Sequence, residues 1–200
     1  MENKTTFLLK EYEECFNQLR YYDDRQLSLL KFSITISSSI ATAILALYNI
    51  FGITSETFWL ILMFLGCLVS FGLCLITAAM VQNRLYFIYP TRQVNAIRQF
   101  MISNNIPEFL EHNQMYLDSK FPAFKWRSIQ TIMIVGNNVL ATVYFALSIL
   151  SFYKIKNSMG EISLDAVFWW SIIFFFLLFL SSSIYLIIKG KKNSDAAIHK

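Results

Sequence analysis

Four stretches of the chain carry no Asp, Glu, Lys, Arg or His: Phe32 to Phe51, Phe58 to Val81, Ser128 to Tyr153 and Ala166 to Ile188. They are 20, 24, 26 and 23 residues long. At about 1.5 Å per helical residue, each reaches or exceeds the roughly 30 Å hydrocarbon core of a bilayer. Segments that alternate polar and apolar residues, as barrel strands do, are missing, and unpaired backbone groups are costly in lipid, so the pattern predicts helices. The expected fold class is all-α: a polytopic membrane protein with four transmembrane helices, a long N-terminal cytoplasmic helix and a helical cytoplasmic loop.

Outside the runs the apolar positions keep a helical period. Residues 5–51 contain neither Pro nor Gly, which predicts one helix of about 70 Å through the first span. Before the membrane it carries Leu8, Tyr12, Cys15, Leu19, Tyr22, Gln26 and Leu29, alternately four and three apart, as in the seam of a coiled coil or packed bundle. The seam packs against the second cytoplasmic segment of the same chain, against another copy, or against a separate partner; spacing alone leaves all three open. In the second segment, Val94, Ile97 and Met101 share one face of a helix expected to begin near Thr91, with Pro90 at its start and Asn104, Asn105 and Pro107 at its end. Glu108 to Leu117, with Phe109 and Leu110, offers a further short helix. Phe121, Phe124, Lys125, Trp126 and Arg127 then resemble an interfacial anchor. The expected units are a cytoplasmic amphipathic helix over 1–31, a first transmembrane hairpin over 32–81, a cytoplasmic helical cap over 82–127, a second hairpin over 128–188 and a basic cytoplasmic tail over 189–200.

Within the spans, polar residues form stripes. Thr35, Ser39, Thr42, Ala46 and Asn49 share one side of the first span, and Asn137, Ala141, Tyr144, Ser148 and Ser151 one side of the third. Such stripes let helices approach closely and exchange hydrogen bonds, or they line a water-filled path. Asn137 and Asn138 lie some ten residues into their run, where an unpaired amide is costly, so both need partners. Gly66 and Ser70 form a small-xxx-small pair, extended by Cys74 and Thr77. The fourth span, rich in Trp169, Trp170, Phe174, Phe175 and Phe176, is expected to face lipid.

Charge then orients the spans. Fifteen of the 17 Lys and Arg lie before the first run, between the second and third, or after the fourth, and two lie in the remaining connections. The positive-inside rule puts both termini on the cytoplasmic side of the membrane. The net charge of +4 therefore describes a basic inner face, with no direct nucleic-acid binding expected, and Lys189, Lys191 and Lys192 mark an anionic-lipid contact or simple stop-anchor flanks. Charged residues continue to Lys31, so the first span reads as a signal anchor rather than a cleaved leader. Composition agrees: 56% of residues are hydrophobic and 15% charged, against about 25% charged in soluble domains.

Candidate chemistry is thin. The three Cys and two His show no metal-ligand spacing, the six Gly are isolated, and neither Asp23 with Asp24 nor Glu108 with Glu111 has an accompanying His. No catalytic, cofactor-binding or metal residue is assigned, no cofactor is expected, and the chain is not read as an enzyme. The absence of ionisable residues within the runs argues against proton relays, voltage sensors and ion-coupled transporters. Arg20, Arg25, Arg92 and Arg98 form a candidate cytosolic patch for a phosphate-bearing signal or a partner protein.

An amphipathic helix from Glu11 to Lys31 runs into the hydroxyl-rich segment Ser33 to Thr42, and a long inside loop bears Tyr89 to Arg98. This plan resembles small membrane effectors of bacterial anti-phage systems: the SLATT-type and four-span effector groups, and in size the membrane subunits of two-gene systems such as Kiwa and Hailong. The likeness is architectural and transfers no functional residue. It implies a homo-oligomer of the bacterial inner membrane that works with a cytosolic sensor or nucleotide-handling protein encoded nearby and alters membrane integrity during infection. The first-span stripe then faces a central path, with the cap as its gate; the alternative is a non-conducting anchor or sensor that recruits the partner through the Leu8 to Leu29 seam and the 82–127 loop.

Overall fold

The computed structural model describes residues 2–105, 117–156 and 164–198, with side chains except at 2–5, 103–105 and 192–198. The described residues form four helices and no strand: α1 (Glu2–Phe51), α2 (Glu56–Asn105), α3 (Ile129–Lys156) and α4 (Leu164–Ile198). All four are long and apolar enough to cross a membrane. Each uncharged run falls inside one helix, apart from Ser128, which immediately precedes α3.

Without an internal Pro or Gly, α1 continues for 50 residues, or about 75 Å. It ends at Gly52, whose φ of 71° is the left-handed conformation that glycine adopts without a Cβ penalty. The Gly52 N–H bonds the Tyr48 carbonyl at 2.8 Å, and the Trp59 indole N–H bonds the Ile53 carbonyl at 2.8 Å, which ties the reversal to the first turn of α2. Because the link is only residues 52–55, α1 and α2 are antiparallel neighbours.

The bundle is built around α2, which packs against α1, α3 and α4, whereas α1 and α4 do not touch among the described residues. Three apolar clusters follow α2 along its length. Phe58, Trp59 and Leu62 lie near the α1–α2 turn, Val69 and Leu73 meet Ala141 and Tyr144 in the middle, and Met80, Leu85 and Ile88 meet Ala123, Ile134 and Leu186 at the other end. In the most apolar 18 residues of each helix, a third of α2 and of α3 is buried but only 6% of α1 and of α4. The inner pair is thus α2 and α3. Of the aromatics expected to face lipid on the fourth span, Trp169, Trp170 and Phe176 are exposed, whereas Phe174 and Phe175 are half-buried and Phe174 packs against the middle cluster and stacks on Phe145.

Three expected boundaries change. Helix α2 does not stop and restart near Thr91: it runs unbroken to Asn105 with Pro90 inside it. Proline removes one N–H and leaves the carbonyl four residues back unbonded. Here Ile88, Val94 and Ile97 are all buried around the break, and the Thr91 hydroxyl donates to the Phe87 carbonyl at 2.8 Å, so packing holds the helix together. The cap over 82–127 is therefore the upper half of α2 followed by an irregular connection, residues 117–128, that crosses the bundle end. Of the further short helix, 106–116 lies outside the described residues, and Leu117 is not helical. Nor does a separate tail begin at 189, because α4 continues to Ile198. Gly190 does not break it; a Cβ there would collide with the Ala123 Cβ, so the glycine admits the connection against α4.

Candidate functional site

Two polar systems stand out, one between α2 and α3 and one at the charged end of the bundle. The first begins where α3 crosses Gly66 closely enough that a Cβ would lie 2.8 Å from the Tyr144 carbonyl oxygen. That approach lets side chains on each helix reach the backbone of the other. The Ser148 hydroxyl donates to the Met63 carbonyl at 2.9 Å and lies 2.9 Å from the Cys67 sulfur. The Ser70 hydroxyl donates to the Ala141 carbonyl at 2.9 Å. One turn on, the Asn137 amide donates to the Leu73 carbonyl and to the Thr77 hydroxyl, each at 2.8 Å, and that hydroxyl donates to Asn138 Oδ1 at 2.9 Å. Both asparagines are wholly buried. Bonds of this kind between membrane helices contribute about 0.6–2 kcal/mol each. On α1 the link is different: the Tyr144 hydroxyl donates to the Ser37 carbonyl at 2.6 Å.

Asn137, Asn138, Tyr144 and Ser148 are thus brought together as a packing ladder within one chain. The first-span stripe is not part of it. Thr35, Ser39, Thr42 and Asn49 are all exposed, while α1 buries Ser33 and Ser37 and packs Ile36, Ile40 and Ile44 inward. The Ser38, Ser39 and Thr42 hydroxyls donate to the carbonyls of Ile34, Thr35 and Ser38 at 2.9–3.0 Å. A groove of about 520 Å³ opens between α1 and α3, walled by Ser38, Leu45, Val143 and Leu147.

The seam of α1 faces α2. Cys15 and Gln26 are buried and Leu8, Tyr12, Leu19, Tyr22 and Leu29 half-buried. Asn83 donates to the Tyr22 carbonyl at 2.8 Å and to Gln26 Oε1 at 2.9 Å. The Arg98 guanidinium donates to the Tyr12 hydroxyl at 3.0 Å and lies over the Tyr12 and Phe16 rings. Of the candidate arginine patch, Arg20 and Arg25 are exposed on α1, whereas Arg98 serves the seam. Arg92 is a clasp: its Nε donates to the Phe121 carbonyl at 2.9 Å and its Nη1 to the Gly190 carbonyl at 3.0 Å, fastening the connection and α4 to α2.

The residue that sequence reasoning passed over is Arg84. It lies one turn beyond the second uncharged run and is 1% exposed. Its Nε donates to the Ala123 carbonyl and its Nη1 to Gln130 Oε1, both at 3.1 Å, and the Gln130 amide donates in turn to the Asp23 carboxylate. Nη2 has no partner. Burial pushes the Arg84 pKa down to about 10, opposed by the more distant Asp23, and the group stays charged at neutral pH. Only its position at the end of the run distinguished Arg84 in sequence, and that signal is shared by every flanking cation. Among the described residues no group of three His, Cys, Asp or Glu side chains is placed to hold a metal ion. In comparisons with protein-family profiles, curated proteins and solved structures, the chain matches none.

Proposed function

We propose that the chain is a four-span membrane protein with both termini on the basic, inner side, that copies of it assemble through α1, and that the assembly makes the membrane permeable. The observation that carries this reading is the outward polar stripe Thr35, Ser39, Thr42 and Asn49 on a helix its own chain scarcely covers. A stripe that served intramolecular packing would face α2 or α3, as the α3 ladder does. Hydroxyls bonded back to their own helix meet lipid at little cost, and their oxygens still accept further bonds, so the same surface suits a lone protomer and the wall of an assembled path. The setting implied by the architectural resemblance is anti-phage defence at a bacterial inner membrane, with a cytosolic protein encoded nearby as trigger. The seam is occupied by α2, which favours self-assembly over recruitment of a partner through Leu8 to Leu29.

Dye-loaded liposomes containing the protein, with the product of the adjacent reading frame added, should leak. Thr35→Leu, Ser39→Leu and Thr42→Leu together should return release to nearly the protein-free rate while the protein still inserts. A tight bilayer under every activating condition overturns the reading.

A further inference from the structure

At the charged end of the bundle a recess of about 210 Å³ lies between α2, α3 and the connection that joins them. That is smaller than the roughly 300–1,000 Å³ of sites for drug-sized ligands, and suits a single charged group with its first substituents. Arg84, Lys125 and Arg127 line it, against one carboxylate, Asp23, one of whose oxygens accepts from Gln130. Phe87 and Phe121 add apolar walls, and Ser128, Ile129 and Gln130 close it. These last residues are the start of α3, a 28-residue helix whose first-turn N–H groups have no carbonyl within the helix to bond and carry the positive end of its dipole. The independent observation is Arg84 itself, a buried guanidinium lining the recess with two nitrogens bonded and Nη2 unpartnered. A buried, incompletely paired cation is costly, and an anion that accepts from Nη2 offsets that cost.

We infer that this recess binds a phosphate group, held by Arg84, Lys125, Arg127 and the N-terminus of α3. Phosphate fits better than a carboxylate because it presents oxygens in several directions to donors that converge from two helices and a loop, and because its charge answers three cations. The recess lies where the third uncharged run begins, beside the exposed Trp126 and Ile129, which is the depth of lipid headgroups. The phosphate therefore belongs either to an acidic phospholipid or to a water-soluble phosphate ester. Binding at this site is independent of whether α1 assembles or the membrane leaks.

The test is thermal unfolding of the full-length protein in a neutral detergent at constant ionic strength, with added phosphatidylglycerol, phosphatidylcholine, inorganic phosphate or glycerol 3-phosphate. Phosphatidylglycerol is expected to raise the unfolding temperature by about 3 °C or more where phosphatidylcholine does not, as a ligand that binds the folded state must. The same rise with inorganic phosphate or glycerol 3-phosphate, without the lipid, also supports the site and assigns it to a soluble ligand. Arg84→Gln removes bonds that hold the fold, so the decisive variant is Lys125→Gln with Arg127→Gln, which should lose at least half of the shift. An equal rise with phosphatidylcholine, no rise with any of the phosphates, or a full shift retained in the double variant overturns the proposal.

Discussion

Gly66 sits at a close approach of the α2 and α3 backbones, and the nearest contact is with a backbone oxygen, which cannot swing aside as the end of a side chain can. Gly66→Ala should therefore destabilise the protein by about 1–3 kcal/mol through overpacking, even though alanine is the better helix former. At Gly72 an added Cβ would meet nothing within 4 Å, and this position supplies the matched control. Gly72→Ala should leave the unfolding temperature in detergent unchanged or slightly raised; if the two variants behave alike, the close crossing is not what holds these helices together. The neighbouring asparagines show the same logic in polar form, since each buried amide is anchored by a group on α2.

At the scale of helices, Arg92 joins three pieces of chain with two hydrogen bonds to carbonyls, and neither acceptor lies on its own helix. Arg92→Met should keep the bundle but loosen its charged end. Hydrogen exchange should accelerate at residues 119–124 and 186–191 and stay unchanged around the α2–α3 ladder; uniform acceleration would mean that the clasp is not local. How much of this was legible in sequence depended on the kind of signal. The four uncharged runs each lie within one helix or begin a residue before it, because length and the lack of charge are properties of a segment by itself. Polar stripes are less completely legible. Periodicity places Thr35, Ser39 and Thr42 on one side as surely as Asn137, Tyr144 and Ser148, but which way a side faces depends on a neighbour that the segment does not contain. The buried Ser33 and Ser37 are offset from Thr35 and Ser39 by two residues, or roughly 200° around the helix. Arg84 was illegible for a related reason: its partner Gln130 lies 46 residues away.

For the whole molecule, antiparallel packing of α1 with α2 sends the long charged halves of both helices to the same end, where the 117–128 connection also lies. In the topology proposed above, the distribution of Lys and Arg makes that end the inner one. In a background of Cys15→Ala, Cys67→Ser and Cys74→Ala, a membrane-impermeant maleimide applied to the outside should label Thr54→Cys and spare Gln18→Cys until the membrane is opened. Labelling in the reverse order would invert the topology and move the phosphate recess to the outer leaflet. The length of α1 has a mechanical meaning as well. It is one unbroken helix from the Arg98-bound Tyr12 to Asn49 at the far end of the polar stripe, with Ser37 tethered to Tyr144 between them. Pivoted at that tether, a tilt of about 5° moves the Tyr12 end by about 3 Å and the Asn49 end by about 2 Å in the opposite direction. A push on the seam from the aqueous side is thus delivered, reversed and reduced, to the far end of the stripe, as a lever delivers it.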